Sequence, residues 1–445
     1  MMGYIVYFNA VRSKDIINSP YNVRLDSMAD RVVRGNILDN DGNILATTVV
    51  NEDGSETRNY PYGDLYAHVV GYDSKGKSGI ESIENFNLLT SNAFFLEKLV
   101  KEFKEEKNIG DSVVTTLNTE MQQAAYDALG SHKGAVVVME VSTGKILVMI
   151  SKPTFNPNNL DADWEWLTTD DNSSLLNRAT QGAYAPGSIF KIVTSLEYMR
   201  ENPSYEEYAY NCQGDITVDG TTIHCAKNRA HGDETLASSM AFSCNASFAN
   251  IGLSLNVDEW NKTAKELLFN AKLPSVLPYR QSKFQLTKES PTSEIMMTAM
   301  GQGKTQVSPY HMTLMSAAIA NGGILMKPYL VERIDNCTGT TIRKNMPEKY
   351  ATLMSSQEAA KLKEYMSDVV AYGTGTPLGG ETYTVAGKTG TAEYSSDKEK
   401  SHSWFTGFTN VENPELAISV VVESADQSGL SAVSVAKQIL NAYYY

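Results

Sequence analysis

A serine followed three residues later by a lysine is the first pattern in this chain that could do chemistry. On a helix, residues three apart lie on one face, about 5–6 Å between Cβ atoms. The amine can then accept the proton of a nucleophilic hydroxyl. The spacing occurs at five serines: Ser74, Ser142, Ser188, Ser395 and Ser434. Because it is so frequent, the spacing alone does not identify a site.

Ser188 is the candidate that the neighbouring residues favour. It follows Pro186-Gly187 and begins a segment with apolar residues at helical spacing: Ile189, Ile192, Val193, Leu196 and Met199. A serine at a helix N-terminus can face a cleft, where the helix dipole favours developing negative charge. The other four serines lie in glycine turns, in a polar loop, or on a helix whose apolar face is needed for packing.

Two further patterns follow Ser188 in the chain. Ser243 and Asn245 form an SxN pattern, and Lys388-Thr389-Gly390 lies in a strand-like segment that could pair with an extended peptide. Gly390 places no bulky side chain beside such a ligand. Taken singly, the serine and asparagine could cap a helix, and the threonine could be an ordinary strand residue. Their joint occurrence favours a functional interpretation.

The three patterns, in this order, resemble the active-site motifs of the penicillin-binding transpeptidases. The stretches that carry the resemblance are NRATQGAYAPGSIFK (177–191), SCN (243–245), AMGQGKTQVSPYHM (299–312), AGKTGTAE (386–393) and HSWFTGF (402–408). Upstream, residues 34–46 resemble the family's RGxIxDxxGxxLA segment, and KSGIESIEN (77–85) resembles its GxE segment. The short N-terminal region, with no room for a glycosyltransferase, resembles the monofunctional class B branch.

The resemblance implies a peptidoglycan D,D-transpeptidase that cross-links stem peptides and is inhibited covalently by β-lactams. Ser188 would attack the D-Ala-D-Ala carbonyl, and a neutral Lys191 would take its proton. Partial burial and the positive charge of Lys388 would lower the pKa of Lys191. Ser243 would relay a proton to the departing D-Ala. This chemistry requires no cofactor.

The remaining motif residues would bind the substrate. The resemblance implies that Asn245 holds Lys191 and the substrate amide. Thr389 would bind the terminal carboxylate, with electrostatic help from Lys388. The backbone N–H groups of Ser188 and Thr391 would form the oxyanion hole.

Other functions share some of these features. A serine β-lactamase has the same three motifs but would not need the first 110 residues, and no obvious segment supplies a deacylating glutamate. A non-enzymatic β-lactam sensor would need a membrane or partner module, and none is visible. GQGKT (301–305) and AGKTG (386–390) lack the first glycine of a phosphate loop. The formal net charge of -14 disfavours nucleic acid as a partner.

A second candidate site lies between the SxxK and SxN patterns. DITVDGTTI predicts a tight hairpin centred on Asp219-Gly220, which would bring Cys212 and Cys225 together. A structural Zn²⁺ held by both thiolates and His231 is one interpretation. A disulfide and two buried free thiols are the alternatives. Further ligands that the zinc interpretation allows are Asp215 and His224.

The elements that must position these residues predict an α/β (α+β) fold with an antiparallel sheet covered by helices. GAVVVMEV and KILVMI predict a hairpin, and residues 234–256 and 293–320 predict helices. A boundary near residue 110 predicts a small non-catalytic, pedestal-like domain at 1–110 and a transpeptidase domain at 111–445.

The N-terminal sequence bears on location and partners. MMGYIVYF is apolar but far shorter than the roughly 20 residues that cross a bilayer. The run could be the core of a strand or helix, or the remnant of a truncated anchor. With the resemblance, it indicates the anchor and a location on the extracytoplasmic face of the cell membrane. The expected partners are stem peptides, β-lactams and a membrane glycan polymerase.

Overall fold

The computed structural model describes residues 29–94, 98, 101, 103–104, 106–394 and 400–445. The chain forms two compact units. The first contains the described residues of Met1–Gln122, Pro153–Leu176 and Tyr329–Met346, and the second contains Gln123–Lys152, Asn177–Pro328 and Pro347–Tyr445. MMGYIVYF lies outside the described residues. Within the described part of the chain, every helix is too short or too polar to cross a membrane.

A five-stranded antiparallel sheet forms the centre of the second unit. In spatial order its strands are Val385–Glu393, Ser401–Thr409, Leu416–Val422, Gly134–Glu140 and Ile146–Lys152. The pairing of the last two confirms the predicted hairpin. Val385–Glu393 lies at the margin of this sheet and is called the edge strand below.

Helices cover both faces of this sheet, which explains why its inner strands are continuous apolar runs. Pro309–Ala320 is buried along its whole length and packs on the face that carries Thr406, whose hydroxyl lies 2.7 Å from a helix serine. Ala432–Tyr444 packs on the opposite face, where its Tyr444 hydroxyl lies 2.7 Å from that of Thr409. The predicted fold class, an antiparallel sheet covered by helices, is confirmed.

Shorter elements surround the sheet. The further α-helices of the second unit are Arg178–Gln181, Lys191–Glu201, Leu236–Ala241, Asn245–Ser254, Val257–Glu266, Thr292–Ala299, Ser356–Ala371 and Ala425–Ser428. Its 3₁₀ helices are Gly187–Phe190, Tyr205–Glu207, Ala226–Asn228 and Thr376–Leu378. Its paired short strands are Tyr210–Cys212 with Gly232–Glu234, Asp215–Val218 with Thr221–His224, and Ile324–Met326 with Lys349–Thr352. The helix Thr119–Leu129 includes residues of both units.

A helix was predicted over each of the ranges 234–256 and 293–320, but the structure has two shorter helices in each range. The first region is two helices separated at residues 242–244, and the second is separated at residues 300–308. Ser243 has a φ of +58°, which a right-handed helix cannot contain. Ser308 caps the later helix and Pro309 begins it. Proline suits this first position because the N–H that it lacks would have no partner within the helix.

The first unit contains a six-stranded sheet. In spatial order its strands are Thr341–Lys344, Val331–Asp335, Ser112–Thr115, Ile37–Leu38, Ile44–Val50 and Glu56–Asn59. Its other elements are the paired strands Val32–Val33 and Asn108–Ile109, the helices Gly79–Ile83, Asn85–Leu88 and Leu160–Thr169, and the 3₁₀ helices Gly63–Tyr66 and Pro157–Asn159. Strands from residues 331–344 complete this sheet, so the unit is discontinuous in sequence. The domain boundary at residue 110 stays a prediction.

A buried ion cluster joins the two upstream motifs in the first unit. The Glu81 carboxylate is fully buried and accepts from Arg34 Nε at 2.6 Å and from Arg58 Nε at 2.7 Å. Burial alone would raise the pKa of Glu81, but the two guanidinium groups outweigh it and lower the pKa. The arginine of the RGxIxD segment and the glutamate of the GxE segment are therefore partners that hold this unit together.

Candidate active site

Ser188 lies in a 3₁₀ helix that leads directly into an α-helix. Gly187–Phe190 forms the 3₁₀ turn, and Lys191–Glu201, called the serine helix below, follows it. A 3₁₀ helix has three residues per turn, so Ser188 and Lys191 lie on the same side. Ser188 is half-buried, whereas Lys191 is fully buried.

Gly187 brings the edge strand next to Ser188. Its φ is +56°, and a Cβ at this position would lie 2.3 Å from the Thr391 carbonyl oxygen. A residue with a side chain would therefore push the strand away from the serine. Because Gly187 has no side chain, Ser188 and the Thr391 backbone can lie side by side.

The amine of Lys191 is held by the turn at residues 243–245, which contains the SxN pattern and is called the SxN turn below. Its Nζ donates to the Ser243 carbonyl oxygen at 2.7 Å, to Asn245 Oδ1 at 2.8 Å and to Ser243 Oγ at 3.1 Å. Burial lowers the pKa of Lys191 to about 7. An amine with such a pKa is substantially neutral at physiological pH, and a neutral amine can accept a proton.

The SxN turn owes its shape to the left-handed conformation of Ser243. Leaving the preceding helix at this residue, the chain begins the next helix at Asn245, whose cap is the Cys244 thiol accepting from the Ser247 N–H at 3.4 Å. The Asn245 amide donates to the His224 carbonyl oxygen at 3.0 Å. Asn245 is thus fixed from two sides, since its Oδ1 receives the lysine amine.

The KTG residues lie within the edge strand and divide between its two faces. Thr389 is half-buried and Thr391, on the same face, is exposed. Lys388 is fully buried and its Nζ donates to the Thr389 carbonyl oxygen at 3.1 Å. A Cβ at Gly390 would lie 3.1 Å from Ile189 Cγ2, so this glycine makes room for the serine segment.

The two active-site lysines differ in how their charge is controlled. Burial lowers the pKa of Lys388 well below its usual value, and the charge of Lys191 lowers it further. For Lys191, burial is the dominant cause. The structure thus assigns the low pKa of the proposed base to full burial, where the sequence suggested partial burial together with the charge of Lys388.

Comparison with known proteins gives the family. Residues 134–441 match the model of the penicillin binding protein transpeptidase domain, and residues 34–113 match that of the penicillin binding protein A dimerisation domain. The chain belongs to the penicillin-binding protein transpeptidases. The recognition made from the motifs is confirmed, and this transpeptidase is a serine acyl-transfer enzyme.

Relatives of this transpeptidase cover most of its length. Peptidoglycan D,D-transpeptidase PbpA of Mycolicibacterium smegmatis is 32% identical over 390 residues, which are 82% of this chain and 79% of that protein. The D,D-transpeptidase domain of a peptidoglycan glycosyltransferase from Eggerthella lenta superposes with a TM-score of 0.83 at 32% identity, covering 93% of this chain and 98% of that one. Penicillin-binding protein A from M. tuberculosis, as a penicillin G acyl-enzyme complex, has a TM-score of 0.82 at 27% identity, covering 93% and 99%.

A thiol cluster lies directly behind the SxN turn of the transpeptidase. The predicted hairpin is confirmed, with Asp219 and Gly220 both at positive φ in a two-residue turn. Cys225 Sγ lies 3.6 Å from Cys212 Sγ and 3.8 Å from Cys244 Sγ. The four cysteines of the chain, all within the described residues, are free thiols.

The cluster has four candidate metal ligands. His231 Nδ1 lies 3.6 Å from Cys212 Sγ, and the four donor atoms all lie within 4.8 Å of one another. A tetrahedron with zinc–sulfur bonds of about 2.3 Å has ligand atoms about 3.8 Å apart, which these distances match. The two further ligands that the sequence suggested, Asp215 and His224, lie outside this group of four donors. Those two side chains are partly exposed and face each other at 3.8 Å.

Cys244 supplies the fourth donor atom of the cluster, and sequence reasoning missed it. It is the middle residue of the SxN pattern, 19 residues beyond Cys225. Only the folded arrangement of the hairpin against the SxN turn reveals it as a candidate ligand. Its thiol is fully buried.

Proposed function

We propose that this transpeptidase is a peptidoglycan D,D-transpeptidase with Ser188 as its nucleophile. The observation that carries the proposal is the Lys191 amine, buried beside the serine turn and held by Ser243 and Asn245. A fully buried ammonium is costly unless it is paired with a charge, and the atoms that accept hydrogen bonds from this one are neutral oxygens of Ser243 and Asn245. The site thereby favours the neutral amine that a general base requires.

Acylation proceeds in two steps. As Lys191 accepts the hydroxyl proton, the Ser188 oxygen bonds to the carbonyl carbon of the penultimate D-Ala. The N–H groups of Ser188 and Thr391 stabilise the oxyanion. The C–N bond to the terminal D-Ala then breaks, and Ser243 passes the proton from Lys191 to the departing amine.

Transfer of the acyl group reverses this proton path. An amine of a second stem peptide attacks the ester carbonyl, and the new amide bond forms as the ester bond to Ser188 breaks. The amine proton returns to the serine oxygen through Lys191. The enzyme is regenerated and two stem peptides are cross-linked.

The edge strand supplies the binding surface for the donor peptide. Its outer margin can pair with an extended chain by backbone hydrogen bonds. Thr389 donates to the terminal carboxylate, and Asn245 contacts the substrate amide. A β-lactam presents an amide and a carboxylate in the same relative positions, so it acylates Ser188 and blocks the site.

The location and partners follow from this substrate. Peptidoglycan lies outside the cytoplasm, so we place the enzyme at the extracytoplasmic face of the cell membrane, where a membrane glycan polymerase would supply its strands. Support comes from the apolar segment at residues 1–8 and from the cell-wall substrate named for its relatives.

Incubation with a stem peptide ending in D-Ala-D-Ala and an amine acceptor tests the reaction directly. We expect D-Ala release and a product whose mass equals donor plus acceptor minus one D-Ala. The measurement is mass spectrometry of the reaction mixture over time. Release of D-Ala without any amine adduct, at saturating acceptor, would contradict transpeptidation and indicate a hydrolase.

We further propose that Cys212, Cys225, Cys244 and His231 hold a structural Zn²⁺. The support is a set of three sulfur donors and one nitrogen donor at tetrahedral spacing. The ion would supply a cross-link between the 215–224 hairpin and the SxN turn. It would take no part in acyl transfer, because the side chains and backbone donors named above carry every step of that chemistry.

Metal analysis of protein purified without chelator tests this site. We expect about one zinc per chain, loss of that zinc in Cys212→Ser, and a lower melting temperature in that variant, because a structural zinc contributes directly to folding. Cys337→Ser is the matched control, since Cys337 lies outside the cluster, and should keep its zinc. Absence of zinc together with four titratable thiols would refute the metal site, as would zinc retained in Cys212→Ser.

A further inference from the structure

We propose that Thr374 positions the hydroxyl proton of Thr389 for the carboxylate of the substrate. The Thr374 hydroxyl donates to the Thr389 oxygen, and the Thr389 proton is thereby directed to the ligand. This inference rests on the proposed function, since the ligand is the carboxylate of a D-Ala-D-Ala peptide or of a β-lactam.

The distance between the two hydroxyls carries the inference. Thr374 Oγ1 lies 2.6 Å from Thr389 Oγ1, so one hydroxyl donates to the other. A hydroxyl has a single proton, so while the two hydroxyls are bonded to each other, Thr389 donates to a carboxylate only in the arrangement in which Thr374 is the donor of their shared bond. A hydroxyl that accepts a hydrogen bond is also a stronger donor, because successive bonds polarise one another. An anion beside Thr389 therefore selects this orientation.

Thr374 belongs to a loop that the surrounding backbone holds in place. Its N–H donates to the Ala241 carbonyl oxygen at 3.0 Å, and the Gly375 N–H donates to the Val369 carbonyl oxygen at 2.8 Å. A Cβ at Gly373 would lie 2.2 Å from the Ala241 oxygen, so the close approach needs glycine. The side chain of Thr374 is exposed, although its backbone is fixed.

The same loop is tied to the SxN turn. Ala241, which receives the Thr374 N–H, ends the helix two residues before Ser243. The rings of Phe242 and Tyr372 also meet edge to face, with centroids 5.8 Å apart. Thr374 is thus held in a fixed position relative to the segment that binds the Lys191 amine. A ligand whose carboxylate binds beside Thr374 therefore has its reacting end placed at Ser188.

The neighbouring lysine does not take over this task. The Lys388 amine is fully buried and bonded to the carbonyl oxygen of Thr389. On the exposed face of the edge strand, hydroxyl groups are the side-chain donors: those of Thr389 and Thr391, with Thr374 beside them. The direction of each hydroxyl proton therefore decides how well this face of the edge strand binds an anion.

Acylation by penicillin G and by its methyl ester tests the inference, because the ester lacks the anionic carboxylate. We expect Thr374→Val to lower the second-order acylation constant for penicillin G about fivefold, the loss typical of one neutral hydrogen bond, here the bond that orients and polarises the Thr389 hydroxyl. The constant for the ester should change less than about twofold. Thr374→Ser, which keeps the hydroxyl, should restore the reaction with penicillin G. Thr376→Val, an exposed position in the adjacent 3₁₀ helix, is the matched control.

A double-mutant cycle shows whether Thr374 acts through Thr389. In a Thr389→Val background, we expect Thr374→Val to add less than about a further twofold loss, because the positioned hydroxyl is already gone. Equal losses for acid and ester, no loss for the acid, or full additivity with Thr389→Val would each overturn the inference. Those results leave wild-type acylation intact. Failure of penicillin G to acylate the wild-type enzyme would instead refute the proposed function itself.

Discussion

Replacing Ser188 with alanine is expected to abolish acylation by penicillin G, so that no adduct is detected. The variant removes the oxygen that forms the acyl bond. The other hydroxyl beside the Lys191 amine, that of Ser243 at 3.1 Å, is assigned to proton transfer and should not be acylated. Because Ser188 is half-buried and alanine is smaller, the melting temperature should change little. The measurement is intact-protein mass after incubation with the drug.

Ser434→Ala is the matched control for this prediction. Ser434 also precedes a lysine by three residues on a helix, but its hydroxyl donates to the Ser431 carbonyl oxygen at 2.7 Å. Ser434 and Lys437 therefore share the SxxK spacing of Ser188 and Lys191 but lack the surrounding SxN and KTG residues. The control should be acylated at the wild-type rate. Covalent labelling that survives in Ser188→Ala would refute the assignment of the nucleophile.

Lys191→Met is expected to slow acylation by about 10²–10⁴-fold, the contribution typical of a positioned general base. Methionine has a similar length and suits the buried site, so the packing of the serine helix should be retained. Ser243 and Asn245 lose a shared donor in this variant, and a moderate loss of stability is expected. Stopped-flow acylation and circular dichroism separate the chemical loss from any structural one.

The pH dependence follows from the state of the same amine. Burial lowers the pKa of Lys191 to about 7, and only the neutral amine accepts a proton. The acylation rate should therefore rise as the pH increases through about 7 and level off above it. This rise should be absent in Lys191→Met. The control variant Lys437→Met, which changes the lysine of the Ser434 SxxK pattern in the last helix, should show the same rise as the wild type. Wild-type rates in Lys191→Met would show that another group is the base.

The local parts of the site could be predicted from the sequence. The Pro-Gly turn before Ser188 and the apolar helix after it are determined by neighbouring residues, as is the Asp219-Gly220 hairpin. In both cases positive φ at glycine is the dominant constraint, and it is visible in the sequence. The recognition of three motifs in order supplied the remaining assignments.

Contacts between distant segments could not be predicted in this way. The break at Ser243 lies between two stretches of helical spacing, so the pattern gave no sign of it. Cys244 becomes a candidate ligand because the hairpin folds against the SxN turn. Thr374 meets Thr389 across 15 residues. Strands from residues 331–344 likewise join a sheet whose other strands come from residues 37–115. Each arrangement depends on tertiary pairing.

Peptide mapping of the penicillin G adduct over time decides whether Ser188 is the nucleophile of a transpeptidase. The protein is quenched and digested at intervals after the drug is removed, and the modified peptide is sequenced by mass spectrometry. We expect one adduct per chain, located on Ser188 and persisting for many minutes, because the site is built to receive an amine from a stem peptide. An adduct on any other residue would refute Ser188 as the nucleophile. Release of hydrolysed drug within seconds would show a β-lactamase instead.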